Sequence, residues 1–288
     1  MNSNSSKDAR ITTACLLAAG TGSRLYPLTD SVPKCLTEVN GVPILRRLVD
    51  NLSQQGFKRL VIVVGHFENQ IREFLGHYDC GLNVDYITNP LFKTTNNIYS
   101  LWLVRDTIKE PFLLVESDLI FDSQMITELL HPDKIAVSRI LPWMKGTTIT
   151  MKSSRRLSAF CLDGIADIKS SSYKTVNICS LSAASWRKVF DRLDQYIADG
   201  RVNDYYEVIF KEMVTEGSLS FECVLFDAKR WYEIDSMADL NEAEHIHWPI
   251  NNNQSLFPNG PETDIPPSRI YHSSDSRAVT VRNTTRKQ

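Results

Sequence analysis

The 288-residue sequence lacks an excess of charge of either sign: 32 Lys and Arg face 34 Asp and Glu, a formal net charge of −2. A dedicated nucleic-acid binder carries a basic excess, so that class is disfavoured. No apolar run approaches the roughly 20 residues of a membrane-spanning helix, and the opening MNSNSSKDAR has no apolar stretch of the kind a secretory signal carries. A cytoplasmic protein with neither a membrane nor a nucleic-acid partner is expected. The six cysteines (Cys15, Cys35, Cys80, Cys161, Cys179 and Cys223) include no CxxC, and no Cys/His group has zinc-ligand spacing. Reduced structural thiols are the expectation. Internal repeats are also absent. What remains is ordinary globular usage, 42% hydrophobic and 23% charged, at a length that suits one large α/β domain or two small ones.

The charge is unevenly spread. In residues 269–288 five bases face Asp275 alone, so this stretch is +4 and residues 1–268 carry −6. Five of the twelve prolines (Pro249, Pro258, Pro261, Pro266 and Pro267) fall in residues 249–288. Three segments are therefore expected: a flexible N-terminus over 1–10, a folded domain over 11–248, and a Pro-rich then basic tail or linker over 249–288. A solvated tail or the remnant of a longer fusion fits that last composition better than a basic targeting signal.

Residues 11–19, ITTACLLAA, form an apolar run without alternation, which reads as a strand covered on both faces. PILRRLVDNLSQQG has helical spacing, with Pro43 near its start and Gly56 past its end. RLVIVVG, NQIREFLG, LNVDYIT, NIYSLWLVRDTI and PFLLVESD continue as strand, helix, strand, helix and strand. Such alternation predicts βαβ units in a mainly parallel sheet with helices on both faces. The second half is more mixed, with strands over KIAVSRIL, TTITMK, RLSAFCL, KTVNICSLS, LSFECVLFD and RWYEIDS. Helices are expected over DYYEVIFKEMVTEG and MADLNEAEHIHW. The fold class is thus α/β, a Rossmann-like three-layer α/β/α arrangement with a mixed, mainly parallel central sheet. Ligands of such sheets bind beyond the carboxyl ends of the strands. That rim would collect residues 20–24, Gly65 and Asp118.

The first strand runs into Leu17-Ala18-Ala19-Gly20-Thr21-Gly22-Ser23-Arg24, and Pro33-Lys34 comes soon after. A Gly-containing loop after a buried strand can turn backbone N–H groups toward phosphate oxygens, and Arg24 and Lys34 would add charge-assisted bonds to the same anion. The loop lacks the third glycine of a dinucleotide fingerprint and the GK[ST] of a Walker loop. Asp118 and Asp235 each end an apolar strand. Two such carboxylates can share a hard cation with phosphate oxygens. Glu116 shares Asp118's side of its strand, where it joins the same site or pairs with a buried base.

Residues 17–45 closely resemble the LAAGxGSRLxPLTxxxPKxLxxVxGxPIL pattern of the nucleotidyltransferase family that makes activated sugars and cytidylyl-activated alcohols. The segments Thr95-Asn96-Asn97-Ile98-Tyr99-Ser100, Lys174-Thr175-Val176-Asn177-Ile178, Asp204-Tyr205-Tyr206-Glu207 and Trp231-Tyr232-Glu233-Ile234-Asp235 are similar to phosphonate and phosphocholine cytidylyltransferases. Cys179 stands where that pattern has an aromatic residue. The resemblance covers residues 11–247 and implies an NTP over residues 17–24, with Gly65, Asn97 and Ser117 beside it. It further implies Lys34, Arg24, Asp118 and Asp235 as the catalytic set, with Mg²⁺ on Asp118 and Asp235. The implied reaction transfers CMP from CTP to a small phosphonate or phosphoalcohol and releases pyrophosphate. The favoured acceptor is 2-aminoethylphosphonate or a hydroxyalkylphosphonate, and other phosphonate-pathway enzymes, fused or separate, are the expected company. Phosphocholine and then a sugar 1-phosphate are the alternative acceptors. A non-catalytic nucleotide-sensing subunit is the reading from another class. Lys174 and Asn177 suit the acceptor's phosphonate oxygens. Trp143, Tyr173, Trp231 and Tyr232 are candidates for an aromatic wall around an ammonium, with Glu233 or Asp204 as counter-charge.

Overall fold

In the computed structural model, which describes residues 10–142, 144–162 and 172–248, the first apolar run becomes strand β1 (Thr13–Ala18), buried at every position. The expected N-terminal segment, the Pro-rich tail and Trp143 lie outside those residues. Ala14, Leu16 and Ala18 of β1 face one apolar cluster, while Cys15 and Leu17 face another. A strand apolar on both faces is stable only with helices on both sides of its sheet, and the chain supplies them.

A small hairpin, β2 (Glu38–Val39) and β3 (Val42–Pro43), turns at Asn40-Gly41, both at positive φ as a tight hairpin turn requires. It feeds α1 (Ile44–Gln54), whose Ile44, Leu45, Leu48, Val49 and Leu52 are buried on the first cluster. Then come β4 (Arg59–Val64), α2 (Glu68–His77), β5 (Asn83–Thr88), α3 (Asn97–Leu103) and β6 (Phe112–Glu116). The helical spacing over NIYSLWLVRDTI gives α3 only as far as Leu103, after which the chain tightens into a 3₁₀ turn over Val104–Asp106. β1 pairs in parallel with β4 and β6, and β4 with β5.

The second half adds β7 (Leu119–Phe121), β8 (Lys134–Arg139), β9 (Thr148–Met151), β10 (Leu157–Cys161) and β11 (Ser172–Leu181). They are followed by α4 (Ala183–Ala198), α5 (Glu207–Glu216), β12 (Glu222–Phe226), β13 (Trp231–Glu233) and α6 (Met237–Glu244). The sheet order is β10-β9-β11-β6-β1-β4-β5, with β8 on β11 and β12 on β8. β11 is antiparallel to β6, β8 and β9, and β12 is parallel to β8. The result is the mixed, mainly parallel sheet of a three-layer α/β/α fold. Helices α1, α2 and α6 cover one face, and α3, α4 and α5 the other.

Helix α4 is missing from the sequence reading. Its signal is nonetheless present: Ser182 caps it, accepting from Ser185 N, and Trp186, Val189 and Leu193 form a buried stripe. No helix among the described residues is long and apolar enough to cross a membrane. All six cysteines are free, and all but Cys161 are buried.

Two local features shape the carboxyl end of the sheet. β13 leaves the main sheet and pairs antiparallel with β7, matching Glu233 to Leu119, and Ile234 N–H donates to the Asp118 carbonyl at 2.9 Å. The pairing of β11 with β8 is interrupted between Thr175 and Cys179, where Asn177 takes φ 58°. Such a bulge re-aims side chains near the carboxyl ends of neighbouring strands.

Candidate active site

Beyond β1 the chain turns at Gly22, which holds φ 64°. A Cβ there would stand 3.0 Å from both Lys34 Cβ and Thr29 Cγ2, so glycine serves the dihedral and the close approach together. The Thr29 hydroxyl donates to the Gly22 carbonyl at 3.0 Å and braces the turn. Arg24 and Lys34 ride on short 3₁₀ turns that follow it, Ser23–Leu25 and Lys34–Leu36.

This loop walls a cavity of ≈430 Å³. Leu17, Ala18, Ala19, Gly20, Thr21, Gly22, Ser23, Arg24, Lys34, Asn97, Ser117, Asp118 and Asp235 all line it, so nearly every residue expected at the nucleotide is brought together. Gly65 stands apart. It is not among the lining residues, and a Cβ on it would meet Phe92 Cβ at 2.8 Å and the Ala19 carbonyl at 2.9 Å. Its role is to let the end of β4 close against the loop from behind.

A second cavity of ≈520 Å³ shares Arg24, Asn97, Glu116, Asp118, Tyr205 and Asp235 with the first. At this junction Lys34 Nζ lies 2.7 Å from Asp118 Oδ2 and 2.7 Å from Asp235 Oδ1, and Arg24 donates to the same Asp235 oxygen at 2.7 Å. Burial works against the Lys34 charge, but Asp118 and Asp235 outweigh it and hold the ammonium charged. Burial likewise opposes the Asp235 charge, yet Lys34 and then Arg24 keep its carboxyl below the usual range. Asp118 Oδ1 is buried without a hydrogen-bond partner. An orphaned buried carboxylate oxygen suits a cation. Among the described residues, one group of three carboxylates has ligand atoms within 4.8 Å of one another: Glu116, Asp118 and Glu233. Asp235 and Asp118 meet across the Lys34 ammonium.

Of the acceptor residues, Lys174, Asn177 and Glu233 converge on the second cavity. Lys174 Nζ donates to the Thr175 carbonyl at 2.8 Å and lies 3.3 Å from Glu233 Oε2, while Asn177 Nδ2 donates to Glu233 Oε1 at 3.1 Å. Tyr173 and Trp231 are not among the lining residues: Tyr173 packs on one apolar cluster, and Trp231 and Tyr232 are buried in the other. Those three rings pack in or against the apolar core and not around the cavity, and Trp143 lies outside the described residues. Asp204 is engaged by Arg201 at 2.8 Å. Among the described residues no base pairs with Glu116; it accepts from Asn97 Nδ2 at 3.2 Å.

The sequence reading misses the group behind this cavity. Tyr206 N–H donates to Asn97 Oδ1 at 3.0 Å, and Glu207, next in the chain, lines the cavity at 8% exposure. The signal is an acid in an otherwise apolar first turn, Glu207-Val208-Ile209-Phe210. Burial, and after it Asp118, Glu207 and Glu233, pushes the Glu116 carboxyl far up. Burial raises Glu233 to about 7 with Lys174 opposing, and it also raises Glu207. The arrangement is one cavity floored by a cationic turn, a second rich in acids, and a Lys-Asp-Asp-Arg junction where a phosphoryl group can be approached from both sides.

Residues 14–164 match the model of the MobA-like NTP transferase domain. The chain is 30% identical over 271 residues to the CMP-5'-(3-aminopropyl)phosphonate synthase of Streptomyces rubellomurinus. That match takes in 89% of this chain but spans 42% of the length of that relative. It is 25% identical to the 2-aminoethylphosphonate cytidylyltransferase of Lancefieldella rimae, over 83% of this chain and 94% of the relative. Among solved structures, the CTP:phosphocholine cytidylyltransferase of Streptococcus pneumoniae superposes with a TM-score of 0.72 at 23% identity, covering 82% of this chain and 99% of that one. By loop, sheet and sequence match together, the chain belongs to the MobA-like NTP transferase domain family.

Proposed function

We propose that the protein is a Mg²⁺-dependent cytidylyltransferase that moves CMP from CTP to a small phosphonate and releases pyrophosphate, with 2-aminoethylphosphonate or a hydroxyalkylphosphonate as acceptor. The observation that carries this reading is the meeting of two cavities at Arg24, Asp118 and Asp235 around the Lys34 ammonium. The names of the Streptomyces and Lancefieldella relatives support the choice of CTP and of a phosphonate.

The CTP triphosphate lies over residues 20–24, with Arg24 and Lys34 meeting its charge. A phosphonate oxygen attacks the α-phosphorus: one P–O bond forms, the bond to the β-phosphate bridging oxygen breaks, and the electron pair leaves with pyrophosphate. The phosphonate dianion brings its own electron pair, so no side chain has to take a proton. Catalysis is then positioning and charge neutralisation. Mg²⁺ would be held by Asp118, whose Oδ1 has no protein partner, and Asp235, and would supply a counter-charge to the phosphate oxygens. Lys34 holds those two carboxylates in place from a third side.

The test is pyrophosphate release from a panel of phosphonates, phosphocholine and a sugar 1-phosphate against CTP, UTP and ATP. Release with CTP and a phosphonate is expected. Release only with a sugar 1-phosphate, or none with any pair, overturns the reading.

A further inference from the structure

The second cavity holds more acid than its neighbours neutralise. Six carboxylates line it (Glu116, Asp118, Glu207, Glu233, Asp235 and Asp239), against Arg24, Lys145 and Lys174. Most have work to do within the protein. Asp118 and Asp235 share Lys34, and Asp235 also takes Arg24. Glu233 takes Lys174 and Asn177, Glu116 takes Asn97, and Asp239 accepts from the Ser236 hydroxyl at 2.7 Å. Glu207, like Asp118, keeps a buried oxygen with no hydrogen-bond partner, Oε2 on a residue 8% exposed, but unlike Asp118 it takes no ion pair among the described residues. A buried carboxylate oxygen left unsatisfied is costly unless something outside the protein completes it.

Two alternatives are answered by geometry. Glu207 is not one of the carboxylates that cluster tightly enough to share a metal, which among the described residues are Glu116, Asp118 and Glu233. Nor does it make the ion pair with Lys174, whose ammonium is bound to the Thr175 carbonyl and to Glu233. The backbone leading into Glu207 is also held in place. Tyr206, immediately before it, is fixed by its N–H to Asn97 Oδ1, and Asn97 is in turn fixed to Glu116 at the junction of the two cavities. A small acceptor with its anionic end at that junction would carry its other end toward Glu207.

We propose that Glu207 receives a protonated primary amine on the acceptor and makes the enzyme select aminoalkylphosphonates over hydroxyalkylphosphonates. This rests on the phosphonate reading above and narrows it to one substrate class. Burial raises the Glu207 carboxyl above its ordinary value in the empty protein, and a bound ammonium would restore the ionised form. The pair is charge-assisted on both sides, the geometry in which a hydrogen bond discriminates most.

The experiment compares kcat/KM for 2-aminoethylphosphonate and 2-hydroxyethylphosphonate, with CTP saturating, in wild type, Glu207→Gln and Glu207→Asp. Wild type is expected to prefer the amine, and Glu207→Gln to lower the amine-to-hydroxyl ratio by about 10- to 100-fold. Glu207→Asp should recover part of that ratio, because it keeps the charge. Thermal melts check that both variants fold. Wild type without preference overturns the inference whatever the variants do, and so does a Gln variant that loses both acceptors equally. If phosphonates react but the ratio stays fixed, only the Glu207 assignment falls. If no phosphonate releases pyrophosphate, the function reading falls and takes this inference with it.

Discussion

Lys34 Nζ and Asp235 Oδ1 lie 2.7 Å apart although 201 positions separate them in the chain. The same ammonium meets Asp118 at an equal distance, so one short turn after β1, the end of β6 and the exit of β13 converge on a single cation. Its neighbours decide what removing it does.

Lys34→Ala should lower kcat by about 10²- to 10³-fold, the loss typical of one preorganised electrostatic group. It also leaves Asp118 and Asp235 facing each other without their shared cation. Steady-state pyrophosphate release measures this, and a loss below tenfold would remove Lys34 from the catalytic set.

Asp118→Asn keeps the shape but weakens the ion pair and the cation site together. Activity should fall by at least about 10²-fold, and the Mg²⁺ concentration giving half-maximal rate should rise. Full activity at the wild-type Mg²⁺ concentration would sink the metal assignment.

Gly65→Ala should destabilise by about 1–3 kcal/mol, since its Cβ would stand 2.8 Å from Phe92 Cβ and 2.9 Å from the Ala19 carbonyl. Because Ala19 leads into residues 20–24, KM for CTP should rise more than kcat falls. A melt and a CTP titration read the two effects; a lower Tm with unchanged KM would show that the strain stops short of the loop.

Trp231→Phe separates core from acceptor wall. Trp231, a residue of β13, is 1% exposed and buried in the first apolar cluster, so Tm should drop while KM for the acceptor stays within about threefold. A large KM increase at unchanged Tm would return the ring to the binding site.

The Glu207 carboxyl, raised by burial, gives a pH dependence of defined sign. A carboxyl whose folded pKa lies above its unfolded one costs nothing below the unfolded value, near 4.5, and costs progressively more as pH rises through the folded value. Between pH 5 and 8, with EDTA and no substrate, wild type should lose Tm relative to Glu207→Gln. Lys34, raised from 10.5, contributes stability that is lost only at higher pH, so it does not offset the change in that window. Parallel Tm curves would show that Glu207 does not titrate there.

Much of the nucleotide half was legible because it is local. The doubly buried strand β1, the glycine turn and the Pro-Lys beyond it lie within a few dozen residues, and their chemistry shows in residue type alone. Two strand-end positions behaved differently. Gly65 belongs to packing, since only the approach of Phe92 and Ala19 reveals why a side chain cannot stand there. Trp231 and Glu233 sit two apart in β13, and the pairing with β7 buries one and opens the other to the cavity.

The residue pattern was enough for the layered fold, because continuous apolar runs alternating with amphipathic helices bury their surface in few other ways. It was also enough to single out Arg24, Lys34, Asp118 and Asp235. Which acids are already satisfied came from the three-dimensional arrangement. Glu116, Glu207 and Glu233 read alike as residues, but hydrogen bonding is a property of neighbours. Asn97, Asn177 and Lys174 reach two of the three across the β11 bulge and the start of α3, and leave an oxygen of Glu207 without a hydrogen-bond partner.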